Sequence, residues 1–419
     1  MEQTNPYLLD FEWFEKETVA TTGPALHRLR NAAVARFTEL GFPGPRDEEW
    51  RFTPAAPLAN APFRLAPHAG RPAPETGGRP LPDGVIGGSL AEALQKHPQL
   101  VEPHLARYAD YKRHPFVALN TAFLRDGAFV YVPAGRVVEA PIILPSAAAA
   151  SGEDGAHVWH RRCLIVLGAN AKATVAETFN GRPNQTYFTN AVTEVVVGDN
   201  AELDHYKVQE EGDAAGHMAV TQVQVGRSAR FASHAVLLGG AWTRNEVNAV
   251  FAGPGGECTL NGLYRGDGRR FVGNHTLIDH AHPHCASHEL YKGVLGGKAR
   301  GVFNGKIFVR QDAQKTDAKQ TNKTLLLSED ATINSKPQLE IYADDVKCTH
   351  GATVGQLDEE ATFYLRSRGV GVAEARALLT YAFANDIIDR IRVESIRDRL
   401  RQAFLSAHGL PAAESEDET

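Results

Sequence analysis

At 419 residues the chain is too long for one ordinary compact core, so two or three domains or an elongated repeat with appended modules are expected. Its 44 basic and 50 acidic residues leave a net charge of −6 spread along the chain, which argues against nucleic acid or an anionic membrane as a partner. The most apolar run, Ala140 to Gly152, contains two prolines and falls well short of the ~20 residues of a membrane helix.

The N-terminal segment is acidic and lacks the basic, apolar and small-residue regions of a signal peptide. The four cysteines, Cys163, Cys258, Cys285 and Cys348, form no CxxC pair, and reduced thiols in a soluble, cytoplasmic protein are expected. Residues 1–115 read as a helical region with loops. From Glu15 to Leu40 apolar residues recur at helical spacing (Leu26, Leu29, Ala33, Phe37) and stop at Gly41-Phe42-Pro43. The stretch RDEEWRFT (Arg46 to Thr53) leads into a Pro-, Ala- and Gly-rich loop, and a second helical stretch is expected over Leu90 to Tyr111.

From Phe116 the pattern changes to short runs of β-branched and aromatic residues. Examples are Phe129–Val132, Cys163–Leu167, Val192–Val197, Met218–Val225, Asn248–Phe251 and Gly301–Val309. Turns of small or polar residues precede the markers Ala171, Ala201, Ala229, Glu257, Ala299, Ala331 and Val346, spaced 30, 28, 28, 42, 32 and 15 residues apart. Most of these are multiples of about 14 to 16, the repeat of a turn-strand unit used twice per coil. A mainly β fold follows, with a right-handed parallel β-helix core over 116–355; a two-sheet sandwich is the alternative.

Beyond Gly355 helical spacing returns, over a small domain at 356–410. Asp358 suits an N-cap and Gly369 a C′ position. From Ala373 to Arg392 the residues Leu379, Phe383, Ile387 and Ile391 fall four apart, a stripe that buries one face. Ile396, Leu400 and Phe404 continue in a third segment, and 411–419 read as an acidic, solvated tail.

No GxxxxGK[ST] motif is present, so no P-loop is encoded. His275, His280, His282, His284, Cys285 and His288 form the segment richest in ligand-type side chains. On a strand His280, His282 and His284 would share a face and could hold a metal, but Pro283 interrupts the run, and structural or surface histidines are the other reading. Cys348 and His350, two apart on an extended segment, also share a face. Thiolate and imidazole suit iron or zinc, yet two ligands leave a four-coordinate site open, and the rest must come from elsewhere in the chain or from a second chain. Asp344 and Asp345 are adjacent and point to opposite faces, which argues against paired acid/base work.

The run KPQLEIYADDVKCTHGATVGQLDEEATFYLRSRG (Lys336 to Gly369) closely resembles the signature of the SufB/SufD family of iron–sulfur cluster assembly proteins. Similar matches are RDEEWRFT, FVALNTAFLRDGAFVYVPAG from Phe116, LYKG from Leu290, VFNGKIFV from Val302 and QTNKTLLLSEDA from Gln320. With HGATVG in place of an HEATTS-type segment, and Gln320-Thr321-Asn322 where SufB-like chains carry a cysteine, the resemblance is to the SufD branch.

The resemblance implies an N-terminal helical region, a parallel β-helix and a C-terminal helical domain. It implies a non-enzymatic scaffold that pairs with SufB through the β-helix and carries the ATPase SufC on its C-terminal helices, here through Leu379, Phe383, Ile387 and Ile391. His350, with Cys348 beside it, would lie at the SufB interface and help hold a transient iron–sulfur cluster. ATP would be bound by SufC, no tightly bound cofactor is expected in the isolated chain, and that chain alone could form a homodimer. A β-helix carbohydrate-active enzyme and an autonomous metal-binding protein using the 275–288 segment are the competing readings.

Overall fold

Short turns set the architecture. At one corner of successive coils a residue takes a left-handed conformation: Asn170, Asn200, Ser228, Gly255, His284 and Lys315, with φ between 54° and 74°. Asn and Gly adopt this conformation at least cost. The turns stack by backbone hydrogen bonds, Asn170 N donating to Asp199 O, Asn200 N to Arg227 O, and so on to Lys315 N and Asp345 O. The computed structural model describes residues 6–18, 22–61, 63–67, 73–147 and 156–410; the expected acidic tail at 411–419 lies outside them.

Between these turns run two facing parallel sheets, one strand of each per coil, in a β-helix of about seven coils. Lys172, Glu202, Arg230, Glu257, Ala286, Asp317 and Lys347 are successive Cα partners, 27 to 31 residues apart. Ala299 and Ala331 precede strands of the opposite sheet, Arg300–Val309 and Thr332–Ile341. The irregular 42- and 15-residue steps in the sequence are therefore crossings between the two sheets. Parallel pairing of coil on coil replaces the hairpins that a sandwich would need.

Ile165, Val195, Val223, Phe251, Leu260 and Phe303 are among the apolar side chains filling the coils. One stretch of the interior is polar instead. His205 Nε2 lies 3.0 Å from Glu177 Oε1, His217 Nδ1 lies 2.6 Å from Glu211 Oε2, and Lys207 Nζ donates to Asn245 Oδ1 at 3.0 Å. Burial lowers the Lys207 ammonium to about 8, opposed by Glu177 and Glu211.

The N-terminal region covers the outer face of the first sheet. Tyr7, Phe14, Phe37, Trp50 and Phe116 pack against Val192, Val220 and Trp242. The helical stretch expected over Glu15 to Leu40 is two helices, Pro6–Thr18 and Pro24–Leu40, with Pro24 opening the second. The stretch expected over Leu90 to Tyr111 is broken after Lys96 by His97-Pro98. Phe116 lies in a helix, Pro115–Ala122, where strand patterning was expected, and the strand pattern begins at Ala128–Val132. Every residue of that helix is buried, so it carries no amphipathic period to read.

RDEEWRFT is the anchor of this layer. The Arg244 guanidinium lies 3.7 Å from the Trp50 ring centroid and donates to Glu49 O and Thr53 Oγ1, both at 3.0 Å, and to Glu246 Oε1 at 2.6 Å. Burial would raise the Glu246 carboxyl, but Arg244 and His114 outweigh it and hold it well below the usual carboxylate range.

The C-terminal helices Val372–Ile388 and Glu394–Ala407 cover the outer face of the second sheet. Ile387, Ile391, Ile396 and Leu400 pack on Tyr206, Val236 and Leu263, and Lys292 Nζ reaches Asp386 Oδ2 at 2.7 Å. Of the expected stripe, Ile387 and Ile391 are 0% and 1% exposed, packed against the chain's own β-helix.

Because the Glu246 carboxyl is depressed in the fold, its contribution to stability is present above the unfolded carboxylate pKa of about 4.3 and is lost as pH falls. Glu246→Gln should lower stability at pH 7 by about 3–5 kcal/mol, since it strands a buried guanidinium. The same variant should flatten the acid limb of the stability profile; urea midpoints from pH 3 to pH 8 test both.

Candidate functional site

The strand that carries Cys348 and His350, Lys347–Gly355, is the last of the second sheet. It pairs on one side with Asp317–Leu326, and among the described residues no strand pairs with its other edge. The last strand of the first sheet, Thr332–Ile341, is placed likewise. The opposite end differs. There Ile86–Ser89 closes the first sheet antiparallel to Ala128–Val132, and Glu75 exchanges two 2.8 Å backbone hydrogen bonds with Ile143 of the second.

Register places Cys348 on Ala318 and His350 on Gln320. Both upper residues are buried and point into the coil, so Cys348 and His350 share the inward face, as their spacing requires. Cys348 is half-buried beside Ala318 and Ile307, while His350 is exposed, with no further coil over it among the described residues. Burial pushes the Cys348 thiol up, and Asp317 adds to the shift, so the thiol is protonated at neutral pH. One coil in, Gln320 Nε2 donates to Glu289 Oε2 at 2.7 Å, and burial raises that carboxyl to about 7 against the opposing hydrogen bond. Gln320 stands out in the sequence only as part of a family motif and Glu289 not at all; their signal is a polar side chain at an inward position of an alternating strand.

The 275–288 histidines are dispersed. His280 ends its strand facing inward, its Nε2 2.9 Å from Ser287 Oγ, and burial lowers its ring to about 4. His282 lies in the following turn, and His284 occupies the left-handed turn position, which turns it out to solvent. The turn thus breaks the shared face that a continuous strand would have given His280, His282 and His284. His275 is buried on the outer side of the first sheet, its Nε2 3.4 Å from Thr53 Oγ1. Among the described residues no group of three or more His, Cys, Asp or Glu is placed to hold a metal ion. Asp344 and Asp345 are turn residues, with Asp345 N donating to Gln314 Oε1.

Two apolar surfaces flank the terminal coil. Tyr342 is 60% exposed, next to the exposed Ile341 that ends one terminal strand, and Val354 is exposed near the end of the other. Phe363 and Tyr364 project from the helix Glu359–Ser367, which has no buried residue, and with Leu379 they line an open groove of about 830 Å³. Of the predicted stripe, Leu379 and Phe383 remain partly exposed.

Residues 148–383 match the family model for the SUF system FeS cluster assembly SufBD core domain, and residues 72–144 match that for the SufBD protein N-terminal region. The chain is 33% identical over 414 residues to an iron–sulfur cluster assembly SufBD family protein of Synechocystis, covering 91% of each. It is 31% identical over 410 residues to the iron–sulfur cluster assembly protein SufD of Escherichia coli, covering 92% of this chain and 93% of that one. To SufD of Bacillus subtilis it is 28% identical over 321 residues, 76% of this chain and 72% of that one.

Cys163, Cys258 and Cys285 are buried, so alkylation of the native chain should mark Cys348 first. Its rate at pH 7 should lie below that of a free cysteine and climb steeply above pH ~8.5, because the raised thiol pKa keeps the thiolate scarce. Peptide mass mapping over a pH series reads this, with Cys348→Ser abolishing the fast phase.

Proposed function

The chain belongs to the SufB/SufD family of iron–sulfur cluster assembly proteins, and on that premise we propose that it is a non-enzymatic scaffold subunit. It pairs with a SufB-type chain across the open end of its β-helix and carries a SufC-type ATPase on its C-terminal helices. The observation that carries this reading is the last coil, which no further strand covers among the described residues. It presents His350 and Cys348 beside two strand edges that pair with no described strand, and the exposed Tyr342 and Val354. Open edges with apolar flanks invite a second β-surface.

The nascent cluster is cargo held between chains. His350 supplies one ligand, and the partner supplies thiolates that this chain does not place there. Cys348 follows only once a metal displaces its proton, as thiol ligands require. A stack of hydrogen-bonded coils suits the task because metal geometry tolerates little misplacement.

SufC docking falls to Phe363, Tyr364, Leu379 and Phe383, with Ile387 and Ile391 holding the domain to the β-helix instead. The helix Glu359–Ser367 follows the His350 strand after three residues, 356 to 358. ATP-driven pairing of two SufC copies would pull on that helix and shift the terminal strand. No helix among the described residues is long and apolar enough to cross a membrane, and the proposed setting is the cytoplasm. Without SufB the same open end can join two copies of this chain.

His350→Ala in the co-expressed complex should leave assembly intact and collapse the visible absorbance of the cluster after anaerobic reconstitution. An unchanged spectrum would assign the chemistry to SufB alone. Phe363→Asp should abolish SufC capture in a pull-down with the fold retained, and undiminished capture would refute the docking surface.

A further inference from the structure

The interior row that ends at His350 changes character near the open end. Leu260, Glu289, Gln320 and His350 are successive Cα partners, so each stacks about 4.8 Å above the last with its side chain on the same face. Glu289 and Gln320 are both buried. The Gln320 amide is oriented by its neighbour, since Nε2 donates to Glu289 Oε2 at 2.7 Å and the ionised form of that carboxyl can only accept. Its other arm, Oε1, is buried and accepts no hydrogen bond from the described residues. A buried acceptor left without a donor is costly. The next side chain in the row is an imidazole.

A neutral imidazole has one N–H and one lone pair, and the hydrogen bond made by the first decides which nitrogen offers the second. Histidines that bind metal almost always donate their other N–H to a carboxylate or carbonyl oxygen. We propose that Glu289 and Gln320 are positioning residues for His350: Glu289 holds the Gln320 amide with its free carbonyl oxygen toward the last coil, where it takes the His350 N–H once the exposed ring turns inward and leaves the other ring nitrogen's lone pair for the metal. This rests on the assignment of His350 to the cluster site. It adds what the bare pair of ligand residues lacked, a reason for the ring to be oriented before a partner arrives.

The test reads the ring itself. In the full-length chain labelled with ¹⁵N-histidine, long-range ¹H–¹⁵N spectra, assigned by the signals lost in His350→Ala, should show one dominant tautomer for His350. Gln320→Leu removes the acceptor and should give a mixture, whereas Glu289→Gln keeps an acceptor for the amide and should retain the wild-type tautomer. A mixture in the wild type, or a Gln320→Leu spectrum identical to it, overturns the proposal. Should Gln320→Leu fail to fold, the wild-type spectrum is decisive together with Glu289→Ala, which frees the amide and should broaden the ratio; no change there overturns the proposal. In the complex with SufB and SufC, Gln320→Leu should weaken cluster retention by about ten- to a hundredfold. The spectra need neither partner nor cluster, so their failure is distinguishable from the failure of the His350→Ala reconstitution.

Discussion

In a parallel β-helix the backbone groups of each coil are satisfied by the coils on either side, so a stack of finite length has two ends that something must cover. Here the two ends are treated differently. The first coil is closed by chain that precedes it, through Ile86–Ser89 on one sheet and Glu75 on the other. The last coil ends in two strands whose outer edges meet no strand among the described residues. The chemistry-bearing pair Cys348 and His350 sits on one of these strands. In the proposed complex, the end that a second chain covers is also the place where that chain completes the ligand set.

The side faces of the helix are spoken for. The N-terminal layer is locked to the first sheet by aromatic packing and by the buried Arg244–Glu246 pair under Trp50, an arrangement in which either charge alone would be strongly unfavourable. The C-terminal helices close the second sheet through Ile387, Ile391 and Leu400. Among the described residues the terminal coil and the helix that follows it, joined by three residues, are left uncovered. In the proposed complex the SufB contact and the SufC contact are therefore neighbours along the chain, which would let nucleotide state reach the cluster site.

The polar interior follows a related logic. Glu177 pairs with His205 and Glu211 with His217 in the middle coils, and Lys207 donates to Asn245, whereas the row Glu289, Gln320 and His350 reaches the last coil with an acceptor still free. A row that ends at the surface has an orientation to impart.

Much of this was legible from the chain alone. The coil length, the parallel β-helix, the shared face of Cys348 and His350 and the family resemblance all reside in local spacing, because turn residues, strand alternation and a contiguous motif are properties of neighbours in sequence. The buried helix Pro115–Ala122 was not legible, since full burial erases the period that would reveal it. Nor was the role of His284, whose backbone conformation is set by stacking on the turn below. The stripe Leu379, Phe383, Ile387 and Ile391 shows the division most plainly. Its spacing announces that one face is buried, but whether against SufC or against the chain's own second sheet depends on which surface the fold brings near, and only the tertiary structure decided that Ile387 and Ile391 face inward. In the same way Glu289 and Gln320, 31 residues apart, become neighbours only because one coil stacks upon the next.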